Sequence, residues 1–260
     1  LLNIRSEGNF RDEASSQKTA RNIPHFITPI KEVDLGFMEK HRKSLFEVRE
    51  ERIHPIKDDK ILTDWNGLII ASFAKGSIAL NSPEFYDAAR KGADFILKNL
   101  RSKDGRLLKR YRQGKAGLQA HLDDYVFGIW GLLELYESGF EEVYLQEGLN
   151  LSNILVNNFW DEANGGFFLG SKNAEKLIAR AKTGYDGAIP SGNSIAVGLL
   201  HRLARITGNM KWAGMAETIL KIFSKDIERS SRGHSAMLLG YIFETDSPKE
   251  VVIVGNSNKE

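Results

Sequence analysis

Three times along this chain, a stretch apolar on almost every side is followed by a short turn and then a stretch apolar on one stripe only. Gly67–Leu80 carries a single charge, Lys75, and ends at the turn Asn81-Ser82-Pro83. Glu84–Leu100 then places Phe85, Ala88, Ala89, Gly92 and Ile96 on one helical face. The second pair runs from Asp123-Asp124-Tyr125 through Val126, Ile129, Trp130 and Leu133, breaks at Gly139, and resumes at Glu141–Asn158 with Val143, Leu151, Ile154 and Leu155. The third is Ile195–Ile206, the turn Thr207-Gly208-Asn209, and Met210–Ile227 with Trp212, Met215, Ile219, Leu220 and Phe223. A last apolar stretch, His234–Phe243, begins a fourth pair. Starts near Asp64, Asp124 and Asn193 set a period of roughly 60 to 70 residues.

A helix that is apolar all round has to be surrounded by protein, whereas a single stripe covers something else. Helical hairpins of this kind stack side by side, with the apolar helices inside the curve and the amphipathic ones outside. Turn signals at Ser102–Gly105, before Leu107-Leu108 and Tyr111, and at Asp161–Gly166, before Phe167-Phe168-Leu169, add a short β-hairpin after an outer helix. The expected fold class is all-α, a toroid-like (α/α) array of helical hairpins with short β-hairpins between units. Residues 1–30 are polar and aperiodic and are expected to be poorly packed. The array is expected over 31–245, opening with a helix over Glu32–Arg52 whose stripe is Phe37, His41, Leu45 and Val48. Residues 246–260, with the strand-like Glu250–Val254, read as the start of a terminal segment that has been cut short.

Composition narrows the function classes. The 260 residues are 42% hydrophobic and 27% charged, with a net charge of +2. No broad basic field offers itself to nucleic acid. No run of about 18 uncharged apolar residues and no leader pattern point to a membrane or to secretion. Cysteine is absent, which excludes disulfides, thiol nucleophiles and thiolate zinc sites and makes a reducing cytoplasm the default expectation. No Walker or dinucleotide fingerprint and no metal-spaced histidine pair occur, so neither cofactor nor metal is expected.

Inner helices lying side by side bring their N-termini to one rim, where unpaired N–H groups and dipole ends suit anions and hydroxyl-rich ligands. That rim would hold Asp64, Trp65 and Asn66; His121, Asp123, Asp124 and Tyr125; Tyr185, Asp186, Ser191 and Asn193; and His234. Asp123, Asp124, Asp64, His121 and His234 are the candidates for catalysis, and the others for ligand binding. Glycosidic cleavage uses paired carboxylates; sugar epimerisation uses two bases, for which His121 and His234 offer themselves. The competing reading is that Asp64, Asp124, Ser191 and Asn193 cap their helices, each contributing about 1 kcal/mol. One helix needs one cap, so Asp123-Asp124 leaves a second carboxylate without an evident structural duty. Trp130, Trp160 and Trp212 read as packing, and His201 as a core or edge histidine.

The segments KDDKILTDWNGLIIASFAKG, FEVREERIHP, LDDYVF and IPSGNS, in this order, resemble the spermatogenesis-associated protein 20 family from about Leu45 onward. The resemblance implies a thioredoxin-like domain elsewhere in the parent protein and an (α/α)6 region similar to six-hairpin glycosidases. About eight helices are countable here where a full ring needs about twelve, so the array is expected to be the C-terminal part of such a ring. The resemblance implies a sugar-like cleft rather than a particular reaction. Sugars or glycans are therefore expected partners. The alternatives are a non-catalytic module that holds a ligand or the thioredoxin-like domain, and a supporting role in a redox function of the parent. An open ring leaves an apolar inner-helix flank bare, through which two copies could pair.

Overall fold

The computed structural model describes residues 2–29, 35–175 and 178–246. The chain divides into two compact units between Asp58 and Asp59. The first unit contains irregular chain and helix α1 (Leu35–Glu50). Arg11 and Lys18 form an isolated bridge there. The Asn9 amide stands in for a strand partner, donating to the carbonyls of Asn3 and Ile23 and accepting the Ile23 N–H. The expected strand over Glu250–Val254 lies outside the described residues.

The second unit runs β1 (Ile61–Leu62), α2 (Thr63–Ala79), α3 (Pro83–Asn99), β2 (Leu108–Arg112), β3 (Lys115–Gln119), α4 (Leu122–Gly139), α5 (Glu142–Phe159), α6 (Gly192–Thr207), α7 (Lys211–Arg229), a 3-10 turn (Ser231–His234) and α8 (Ser235–Thr245). Helices α2, α4, α6 and α8 neighbour one another in that order, and α3, α5 and α7 back the first three. This is the layered array of hairpins that the repeat implies. No helix among the described residues is long and apolar enough to cross a membrane.

The helix sealed on all sides is α4. From Leu122 to Leu135 every residue but Asp123 and Trp130 is buried. Helix α2, equally apolar in sequence, buries Gly67, Ile70, Ala71 and Ala74 but leaves Trp65, Ile69 and Ser72 exposed along one flank. At the far edge of the layer, Leu239 and Ile242 of α8 are exposed in the same way. A central helix has neighbours on both sides; the first and last do not.

Glycines set how closely the inner helices approach. A Cβ on Gly67 would stand 2.5 Å from the carbonyl carbon of Phe127, and one on Gly131 would stand 2.9 Å from the Gly67 carbonyl oxygen. In the same way, a Cβ on Gly240 would stand 2.8 Å from the Gly198 nitrogen, between α6 and α8. Gly139 does not break α4 by its own flexibility. Its missing Cβ makes room for the Tyr86 ring, and the left-handed residue that ends the helix is Phe140, at φ 56°.

Strands β1, β2 and β3 form one antiparallel sheet. The turn signal at Ser102–Gly105 closes an isolated bridge between Arg101 and Leu107, while the longer hairpin turns at Gln113-Gly114, both left-handed. The second expected hairpin shrinks to one bridge, Trp160 to Phe167. Its partner strand is replaced by a side chain. Asn193 Oδ1 accepts the Phe167 N–H, and Asn193 Nδ2 donates to the Phe167 carbonyl, each at 2.9 Å.

Candidate functional site

The N-termini of the inner helices do lie at one end, and carboxylates tie them together. The Asp64 N–H, in the first turn of α2, donates to Asp124 Oδ1 at 3.1 Å. Asp124 Oδ2 accepts the His121 N–H at the start of α4 at 2.8 Å. One side chain thus satisfies first-turn amides of two helices. Between α6 and α8, Asp186 has the same role. Its two oxygens accept the N–H groups of Ser191 (2.9 Å) and Ala236 (2.8 Å).

The capping assignments shift accordingly. Ser191, a ligand-binding candidate, caps α6 as in the competing reading, its Oγ accepting the Ser194 N–H. Asp64 and Asn193 are not caps but second residues of their helices, and Asp124 is the third residue of α4, because each helix begins earlier than the apolar run suggests. Strand β1 feeds straight into α2, and Thr63 Oγ1 fastens the junction to the Leu108 carbonyl at 2.6 Å.

Lys109, on β2, completes the cluster and was not foreseen. Its Nζ lies 2.6 Å from Asp64 Oδ2 and 3.1 Å from Asp124 Oδ1. Burial works against its charge, but the hydrogen bond it donates to Asp64 and the charges of both carboxylates outweigh it and raise its pKa. Strand alternation around Lys109 was legible in sequence; that its target would be two first-turn aspartates was not.

Asp123 differs from its neighbour. It is half-buried, and its Oδ1 is enclosed without a hydrogen-bond partner. Gly192 presses against that oxygen so closely that a Cβ there would lie 2.5 Å away. The Gly192 amide lowers the pKa of Asp123 somewhat, without forming a well-aligned hydrogen bond. Burial and then the Asp64 charge dominate and raise it. The exposed His121 and Trp65, the latter 60% exposed, flank this carboxylate cluster in the chain.

The remaining candidates do not all face a common space. Tyr125 is buried. Its hydroxyl accepts the Leu107 N–H at 3.0 Å, and it lines a separate cavity of about 200 Å³ with Arg106 and Asn158. Asn193 is fully buried, and its second amide proton goes to the Thr183 carbonyl. Asn66 donates back to the Leu62 carbonyl. His234 is buried, with Nδ1 bonded to the Ser230 carbonyl and its ring edge-on to the exposed Tyr185 at 6.2 Å. Among the described residues, no group of three or more His, Asp or Glu side chains is placed to hold a metal ion.

A second polar cluster lies among the inner helices. Trp130, expected as packing alone, donates through Nε1 to Glu134 Oε1 at 2.7 Å; Arg202 reaches the same oxygen at 2.7 Å and Lys75 at 3.3 Å. These four line a cavity of about 220 Å³ with residues of α6 and α8. The i, i+4 spacing of Trp130 and Glu134 was a usable signal.

Burial pushes the Asp124 carboxyl up to about 6, against the His121 amide and the Lys109 charge. A carboxyl raised in the folded state holds its proton where the unfolded chain, near 3.8, has lost it. Its contribution to stability is therefore full below about pH 4 and falls as pH rises to about 6. We expect the stability difference between the native chain and Asp124→Asn to shift across that window and to stay flat from pH 7 to 8. Urea melts at each pH measure this, and a difference unchanged from pH 4 to 7 would refute the raised pKa.

No family model matches the chain. Spermatogenesis-associated protein 20 of Homo sapiens is 31% identical over 224 residues, covering 82% of this chain and 28% of that protein. An uncharacterised Caenorhabditis elegans protein is 32% identical over 174 residues, covering 64% of this chain and 24% of its own length. The chain thus spans about a quarter of the length of the relatives it matches. In fold it is similar to a family 76 α-mannanase of Bacteroides thetaiotaomicron (TM-score 0.59, 13% identity, 74% of this chain and 55% of that one). It is also similar to a cellobiose 2-epimerase of Bacillus thermoamylovorans (TM-score 0.55, 12% identity, 73% and 56%). At these identities the likeness is one of fold.

Proposed function

We propose that this chain, which belongs to the spermatogenesis-associated protein 20 family, acts on carbohydrates by proton transfer at the rim of α2 and α4, as a sugar epimerase or isomerase does. The observation that carries the reading is Asp123: a half-buried carboxylate with an unpartnered oxygen and raised proton affinity. Such a group takes up a proton more readily than an ordinary exposed carboxylate, which suits a general base. Asp64 and Asp124 are tied to Lys109 and to backbone amides, so two free, opposed carboxylates, as hydrolysis needs, are not the natural assignment.

In this reading Asp123 removes the proton from the carbon next to the carbonyl of an open-chain sugar. Negative charge then develops on the carbonyl oxygen, in the field of Lys109 and the helix N-termini. His121 returns a proton to the enediolate, and Trp65 offers a flat face to the ring or chain. Carbohydrate-processing enzymes among the fold relatives support the substrate class.

The test is proton nuclear magnetic resonance in D2O with mannose, glucose and cellobiose. We expect deuterium to enter at C2 and to cease entering with Asp123→Asn, whose melting should stay close to the native chain's. Release of reducing ends from oligosaccharides without exchange would instead favour hydrolysis. Neither exchange nor hydrolysis would leave the non-catalytic reading, for which the bare flank of Trp65 and Ile69 offers a place to hold a partner domain or a second copy.

A further inference from the structure

The hairpin of β2 and β3 carries a second, differently charged face. Alternation sends Lys109 and Tyr111 one way, where Lys109 meets the two aspartates and Tyr111 packs edge-on against Phe95 at 5.2 Å. Arg110 and Arg112 take the other face. The register sets Lys115 directly opposite Arg112 and Gly117 opposite Arg110. Three cations therefore share the tip of one hairpin face, and like charges directly across a ladder are destabilising.

Asp59 pairs with Arg112. Arg110 and Lys115 have neither an ion pair nor a side-chain hydrogen bond among the described residues. Gly117 keeps the space beside Arg110 clear, since a Cβ there would meet nothing within 4 Å. Arg110, Arg112, Gln113, Lys115, Ala116 and Gly117 together line a cavity of about 460 Å³.

We infer that this face binds the phosphoryl group of a small-molecule phosphate monoester. Two cations without acceptors match a dianion, and a guanidinium beside an ammonium suits phosphoryl oxygens in both geometry and charge. The hollow is open on the side of the exposed Arg112, Gln113 and Lys115, so it offers a phosphoryl group charge and hydrogen bonds rather than enclosure. The site does not depend on the proton-transfer reading, because Arg110 and Lys109 leave the strand on opposite faces.

Calorimetric titration of the chain with glucose 6-phosphate, inorganic phosphate and glucose tests it. We expect glucose 6-phosphate to bind more tightly than phosphate, and glucose to leave this site empty. The double variant Arg110→Gln, Lys115→Gln should lose at least about tenfold in glucose 6-phosphate affinity with its melting and its sugar exchange unchanged. A control, Lys91→Gln with Lys98→Gln on α3, should lose little. No binding of either phosphate, an unaffected double variant, a loss of glucose affinity in the double variant as large as that of its phosphate, or an equal loss in the control would each overturn the site.

Discussion

Asp124→Ala is expected to destabilise the chain by about 3–5 kcal/mol, the cost of breaking a buried charged network by removing one partner. A lost cap alone would cost about 1 kcal/mol. Asp124 is fully buried; its oxygens hold the Asp64 and His121 amides, and its charge faces Lys109. Alanine would strand two first-turn amides and leave Lys109 with Asp64 alone. Set against a total stability of about 5–15 kcal/mol, this could unfold the chain at the warm end of its range. Urea melts of Asp124→Ala, Lys109→Met and the double variant separate the terms. The double variant should lose less than the sum of the two single losses, because both substitutions break the same Lys109–Asp124 pair. A loss near 1 kcal/mol for Asp124→Ala would return Asp124 to the role of an ordinary cap.

Gly67→Ala should cost about 3 kcal/mol, at the upper end of the usual range for overpacking. The added methyl would sit against the backbone of Phe127 and Gly128, not against a side chain that could swing aside. Either α2 and α4 separate, breaking the Asp64 to Asp124 hydrogen bond at their N-termini, or the methyl is strained where it stands. Gly214, inside α7, has nothing within 4 Å of a Cβ. There the same substitution should stabilise, by up to about 1 kcal/mol of helix propensity. Denaturant midpoints of the two variants, read side by side, check opposite signs from one chemical change. Equal small effects would show that α2 and α4 can part enough at their crossing to admit a methyl group.

How much of this was legible beforehand depends on the range of the interaction. The alternation of all-round and one-sided apolar stretches determined the hairpins and the end at which the inner helices start, because periodicity is a local property of consecutive side chains. The same locality made Asp64, Asp123, Asp124, Ser191 and Asn193 visible as a rim. It could not assign their duties. Asp124 became a bridge, and Asp123 the carboxylate left with an unpartnered oxygen, only once α2 and α6 closed on either side of α4. Lys109 lies 45 residues from Asp64 in the chain, so no window of sequence contains both. Tertiary structure also decided which apolar helix is enclosed. Helices α2 and α4 read alike, but burial is conferred by neighbours, and α4 has one on each side whereas α2 keeps Trp65 and Ile69 bare.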